Sequence, residues 1–138
     1  DRWAGFDDGL YAGARLLEIL SRCASVEQGV AMGADLNAVL NGLPQGISTP
    51  EINLQIKEGE GVSLVEAFKA HAAFDARLNA VDGLRYDFTD GFGLIRASNT
   101  TAVVVLRFEA NDEFALKRIQ SAFRDVLRLI APDLWITF

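Results

Sequence analysis

Leu84-Arg-Tyr-Asp-Phe88, Asp90-Gly91, Phe92-Gly-Leu-Ile95 and Ala102-Val-Val-Val-Leu106 decide how this chain folds. The first alternates apolar and polar residues, which is the period of a half-buried strand. Asp-Gly is a tight-turn signal between extended segments. The last two are short β-rich apolar runs. Between them lies Arg96-Ala-Ser-Asn-Thr-Thr101, with one cation, three hydroxyls and one carboxamide. The series reads as strand, turn, strand, polar loop, strand. Such a loop presents a guanidinium fork, hydroxyl donors and free backbone N–H groups, the set a phosphate dianion needs. The same composition also makes an ordinary hairpin turn, with Ser, Asn and Thr bonding their own backbone. Composition alone favours the turn.

Working outward, the strand after the loop continues to about Glu109, and a helix begins at Asn111. Asp112 and Glu113 sit in its first turn, where the macrodipole favours them. Leu116, Ile119, Phe123, Val126 and Ile130 recur every three or four residues and define its buried face, and Pro132 ends it. On the other side, Arg77 to Val81 reads as a short strand closed by the Asp82-Gly83 turn. Glu51-Ile-Asn-Leu-Gln-Ile-Lys57 alternates with Ile52, Leu54 and Ile56 inward, and Gly59-Glu-Gly61 breaks it. Ser63-Leu-Val-Glu66 has the form of a capping box, followed by a helix whose apolar face carries Val65, Phe68 and Ala72. The order predicts an α+β domain: a mainly antiparallel sheet with two helices on one face, its other face open to solvent or a neighbouring domain.

The N-terminal third differs. Asp7 or Asp8 caps a helix running to about Arg22. Its stretch from Leu10 to Leu20 is apolar nearly all round, interrupted by Arg15 and Glu18. A helix without a polar face expects cover on several sides. The sequence after it offers too little, so its natural partner, a sheet, is expected upstream. Val26 to Leu40 reads as a second helix weakened by Gly29 and Gly33. Asn41-Gly-Leu-Pro-Gln-Gly46 reads as a linker. This divides the chain into residues 1–45, a helical segment of a preceding domain plus linker, and residues 46–138, the C-terminal domain. The chain opens on Asp1 and runs directly into Trp3 and Phe6, as expected for a piece of a longer polypeptide.

The totals narrow the function. The 138 residues are 50% hydrophobic with net charge −6, the balance of a folded acidic protein. That charge argues against generic binding to nucleic acid or to an anionic membrane, and leaves room for one local cationic pocket. No run reaches the roughly 18 apolar residues of a membrane-spanning helix. No secretory leader pattern is present, so a cytoplasmic setting is the expectation. Cys23 has no companion for a disulfide or a zinc site.

Catalytic chemistry is hard to assemble here. His71 falls near a helix end with no Asp or Cys at a suggestive spacing, and Ser98 has no evident activating base. The acids occupy turns and first helical turns, so no metal site and no catalytic residue is assigned. Arg107 follows Val103 and Val105 on one strand face. It either supports a phosphate pocket or pairs with Glu109 or an acid on a neighbouring strand, and the pairing is the preferred reading.

The run from Asp82 through Thr101, continued by Val103-Val-Val-Leu-Arg-Phe-Glu-Ala110, resembles the C-terminal domain of the α-D-phosphohexomutases, nearest the bacterial phosphomannomutase/phosphoglucomutase branch. Arg2 to Tyr11 with Ala14 to Leu20 is similar to the segment after the sugar-binding loop of that family's third domain, and Ser48-Thr-Pro-Glu-Ile-Asn53 agrees as well. The resemblance implies a four-domain parent isomerase that interconverts hexose 1-phosphates and 6-phosphates. A phosphoserine donates the phosphoryl group, a 1,6-bisphosphate forms and reorients, and Mg2+ assists. It implies that the C-terminal domain grips the non-reacting phosphate and rotates to close the cleft. The positions matching that phosphate loop are Arg96, Ser98, Asn99 and Thr100. The implied partners are a phosphosugar and the upstream domains of the same parent. The family's phosphoserine, metal and sugar loops have no counterpart here, so Mg2+ is expected outside this chain, and the chain alone is expected to be inactive. Ala102 stands where proline often follows the loop, and Phe92 where tryptophan is frequent. The third-domain sugar loop would choose the sugar, an amino sugar included. The alternative of another class is a stand-alone, non-catalytic interaction or regulatory module with an open sheet face.

Overall fold

A computed structural model describes residues 5, 7–23, 40–43 and 45–138. The chain forms two compact units, Asp1–Gln45 and Gly46–Phe138. In the first, α1 spans Gly9–Cys23. Asp8 begins it: its carboxylate accepts from Tyr11 N (2.9 Å) and its carbonyl from Ala12 N (3.0 Å). Leu10 and Leu17 are exposed despite their apolar character. The second helix expected over residues 26–40 lies outside the described residues, save Leu40, which is helical with Asn41.

The second unit runs β1 Ile47–Ser48, β2 Ile52–Gln55, α2 Gly61–His71, β3 Arg77–Asn79, β4 Leu84–Phe88, β5 Gly91–Ala97, β6 Val103–Ala110 and α3 Glu113–Ile130. Every strand pairing is antiparallel, in the order β1-β6-β5-β4-β3, and β2 adds to the same side of β6 as β1. Both helices pack on the central strands and on each other, so they share one face. The unit is the α+β domain that its alternation and turns specify.

Alternation along β5 and β6 makes the two faces. Ile95, Val104, Leu106, Phe108 and Ala110 point to the helices and are buried. They meet Ala115, Ile119, Phe123, Val126 and Leu127 of α3, and Phe68 of α2. Phe123 is the hub: the rings of Phe68, Phe74, Tyr86 and Phe108 lie 5.0, 5.2, 5.9 and 5.1 Å from it. Offset and edge-on ring pairs of this kind add about 0.5–1.5 kcal/mol each beyond their buried area. Asp112 caps α3 by accepting from Ala115 N at 2.8 Å. At the other end Ala131 N donates to the Leu127 carbonyl (2.8 Å) just before Pro132. The opposite face carries Arg77, Asp87, Arg85, Phe92, Leu94, Arg96, Val105 and Arg107 in cross-strand register. Arg85 lies over the Phe92 ring at 3.6 Å and its Nε donates to Asp87 (2.7 Å).

Four expectations change. Ser63 is not a cap: α2 starts at Gly61 with Glu60 before it, and Ser63 Oγ donates back to the Glu60 carbonyl at 2.9 Å. The helix begins three residues earlier than a Ser63 cap would place it, and Gly61 sits tightly against Ala97. β3 stops at Asn79 rather than Val81, because the Asn79 carboxamide accepts Val81 N (3.1 Å) and bends the chain. Arg96 and Ala97 belong to β5, so the polar loop proper is 98–102. Arg107 makes no ion pair with any described residue: the residue opposite it is Leu94, and the Glu109 side chain lies against Gly46.

Candidate functional site

Arg96 is the second-last residue of β5 and stands opposite Val105. Its position in the alternation sends its side chain to the open face, where that side chain remains 41% exposed. One donor is engaged, Nη1 to Asp82 Oδ2 at 3.2 Å. The contact follows from the β4–β5 register. Leu84 pairs with Ile95, so the Asp82-Gly83 turn abuts Arg96. Gly83 has φ +73°, and a Cβ there would stand 2.4 Å from Arg96 Cβ and 2.6 Å from the Ile95 carbonyl. No residue but glycine fits that approach without a shift.

The loop begins where Ser98 N donates to the Val103 carbonyl (3.0 Å), and it ends in a tight bond from Val103 N to the Thr101 carbonyl (2.8 Å). Ser98 Oγ organises what lies between. It accepts from Thr101 N (3.2 Å) and more weakly from Thr100 N (3.4 Å), and shares a hydrogen bond with Thr101 Oγ1 (2.8 Å). This is the local side-chain-to-backbone turn that its composition favours. Asn99 and Thr100 are exposed at the tip, and their side chains make no hydrogen bond among the described residues. The loop is thus both a self-supporting turn and a source of unused donors: the Asn99 amide, the Thr100 hydroxyl and the remaining N–H groups of Arg96. The first residue of α2, Gly61, lies against Ala97, which brings the positive end of a helix dipole to the root of the loop.

Of the residues read from sequence, Arg96, Ser98, Asn99 and Thr100 lie in one continuous strand-to-loop segment. Two neighbours went unread as site residues. Thr101 completes the Ser98 turn, and Asp82 holds Arg96. The Asp82 contact was recoverable in principle by sliding Leu84-Phe88 against Gly91-Ile95 about the Asp90-Gly91 turn. His71 is exposed at the end of α2, its Nδ1–H donating to the Ala67 carbonyl (2.9 Å), a helix-end role. Among the described residues no three His, Cys, Asp or Glu side chains converge to hold a metal ion, and no helix is long and apolar enough to cross a membrane. The donor set here therefore does not fit a Mg2+ site. A surface cleft of about 630 Å³ lies between the segment 55–67 and the end of α3, and Arg96 and the loop are not among its walls.

An antiparallel sheet with helices on one face and an arginine-flanked polar hairpin at the end of its central strands places the second unit in a defined domain class. Residues 51–126 match the family described as phosphoglucomutase/phosphomannomutase, C-terminal domain. The chain belongs to that family. It is 48% identical over 138 residues to a phosphoglucomutase of Neisseria meningitidis, covering 98% of this chain and 28% of that protein. It is likewise 48% identical to a phosphomannomutase/phosphoglucomutase of Pseudomonas syringae pv. tomato, over 100% of this chain and 28% of that one. A crystal structure of a phosphoglucomutase/phosphomannomutase family protein from Burkholderia thailandensis superposes with a TM-score of 0.77 at 51% identity, over all of this chain and 27% of that one. The chain thus spans 28% of the length of these curated relatives.

Proposed function

We propose that Arg96, Ser98, Asn99 and Thr100 bind the non-reacting phosphate of a hexose phosphate, within a parent isomerase that interconverts hexose 1-phosphate and 6-phosphate. The observation that carries this reading is the placement of Arg96. A half-exposed arginine side chain with most of its donors unused stands at the foot of a loop whose tip presents Asn99 and Thr100. Arg96 supplies charge-assisted, bidentate contact, and the loop adds neutral donors around the remaining oxygens. Ser98 keeps the loop in one shape, so little order has to be created on binding.

Holding the distal phosphate orients the reacting end of the sugar and uses remote binding energy for the chemical step. In the parent, rotation of residues 46–138 as a body closes the cleft over the sugar. The phosphoryl donor, the sugar-selecting loop and the Mg2+ ion belong to other domains, and residues 1–45 belong to the third of them. The exposed apolar side chains of Leu10 and Leu17 on α1 fit a helix whose cover comes from those upstream domains. A cytoplasmic setting suits a sugar-phosphate enzyme with a lone cysteine. Alone, the chain is a phosphate grip without a donor and turns nothing over.

Titration of the 15N-labelled chain with inorganic phosphate and with glucose 1-phosphate tests the reading. Amide shifts centred on residues 96–101, lost in Arg96→Ala with the fold intact, are the expected result. Shifts confined to other residues, or none at tens of millimolar ligand, would overturn it and favour a non-catalytic interaction module.

A further inference from the structure

We propose that the Asp82-Gly83 turn is the positioning element of Arg96, fixing which edge of its guanidinium a phosphate meets. This rests on the phosphate-binding reading of the loop. Two contacts join the turn to the arginine, one at each end of its side chain. At the head, Asp82 Oδ2 accepts from Nη1 alone, at 3.2 Å. At the root, Gly83 packs so closely that an added Cβ would stand 2.4 Å from Arg96 Cβ. Gly83 thus lets the turn stand beside the arginine, and the Asp82 contact constrains a long side chain that would otherwise sample many rotamers.

The choice of nitrogen matters. A guanidinium carries five N–H donors, and its parallel bidentate fork is the pair on Nε and Nη2. A carboxylate on Nη1 leaves that fork free. Asp82 therefore holds Arg96 without occupying the edge best suited to phosphate.

Two effects of the Asp82 carboxylate oppose each other. Its negative charge repels an incoming dianion, while its hydrogen bond spares Arg96 the ordering that binding demands. The Asp82 side chain is 78% exposed, so water and salt screen the repulsion. The hydrogen bond that orders the side chain acts at 3.2 Å, well inside a Debye length, and is screened less. Positioning is therefore the larger effect. The pair is too exposed to matter for folding, which separates its role from a structural one.

The experiment uses the 138-residue chain, inorganic phosphate and three variants, Asp82→Ala, Asp82→Asn and Arg96→Ala. Asp82→Ala should leave the melting temperature unchanged and weaken phosphate binding at least about threefold. Asp82→Asn retains an oxygen acceptor and should recover part of the loss. The Arg96 Nε–Hε resonance of the free chain, sharp in the wild type, should broaden or exchange faster in Asp82→Ala. Binding that is equal or tighter in Asp82→Ala overturns the positioning role while leaving the phosphate site standing. Absence of shifts at residues 96–101 in the wild type overturns the site itself, and the positioning role with it.

Discussion

Gly93 of β5 lies beneath the ring of Phe123 from α3: a Cβ added at the glycine would stand 2.5 Å from both Cε2 and Cζ. The pair is a close approach of helix to sheet in the core, and it holds the helical layer over the strand that carries Arg96. Phe123 is fully buried, with rings of four other residues about it, so it has nowhere to retreat.

Gly93→Ala is therefore expected to cost about 1–3 kcal/mol, the usual penalty of overpacking a filled core. Urea unfolding reads this as a lower midpoint at unchanged slope. An unchanged midpoint would mean that the ring gives way freely, against the packing described. Gly93 was not legible as a contact point. The sequence shows a glycine inside a strand, and only the crossing of α3 over β5 explains it.

Ser98 offers a prediction confined to the loop. Its Oγ accepts from the exposed N–H groups of Thr100 and Thr101. In Ser98→Ala water replaces that acceptor, so global stability should fall by less than about 1 kcal/mol. Amide exchange at Thr101 should speed up by roughly two- to tenfold, the worth of one net hydrogen bond. Exchange at Thr101 that is no faster than in the wild type would show that the serine does not shape the loop.

Tyr86 sets an alkaline limit. Burial in the core raises its phenol above the ordinary 10.0. The folded chain thus holds that proton at pH values where the unfolded chain has released it. The folded form binds more protons, so stability is fully present below pH 10.0 and declines as pH rises from there through the folded pKa. Tyr86→Phe should flatten this decline in a series of melts between about pH 9 and 11. A decline equally steep in the variant would assign it to other groups.

Much of the architecture was legible in the chain alone. Leu84-Phe88 alternates with the period of a strand, Phe92-Ile95 is a short apolar run, Asp90-Gly91 can do little but turn, and Ile119, Phe123 and Val126 fall on one helical stripe. These signals are local, because backbone periodicity and turn chemistry depend on residues a few positions apart. The polar segment after Ile95 was legible in the same way, and it carries the family resemblance.

What escaped reading depends on residues distant in sequence. Asp82 and Arg96 are fourteen positions apart and meet through a strand register. Gly93 and Phe123 meet through a helix crossing. Arg107 lacks the expected acid because its neighbour across the ladder is Leu94. The start of α2 lies at Gly61, which fits against Ala97, a steric fact that a capping pattern does not contain. Periodicity along a chain chooses strand or helix and which side faces inward. Which side chains then touch is settled by how those pieces dock, since a single-residue slip in register would give every one of them a different neighbour.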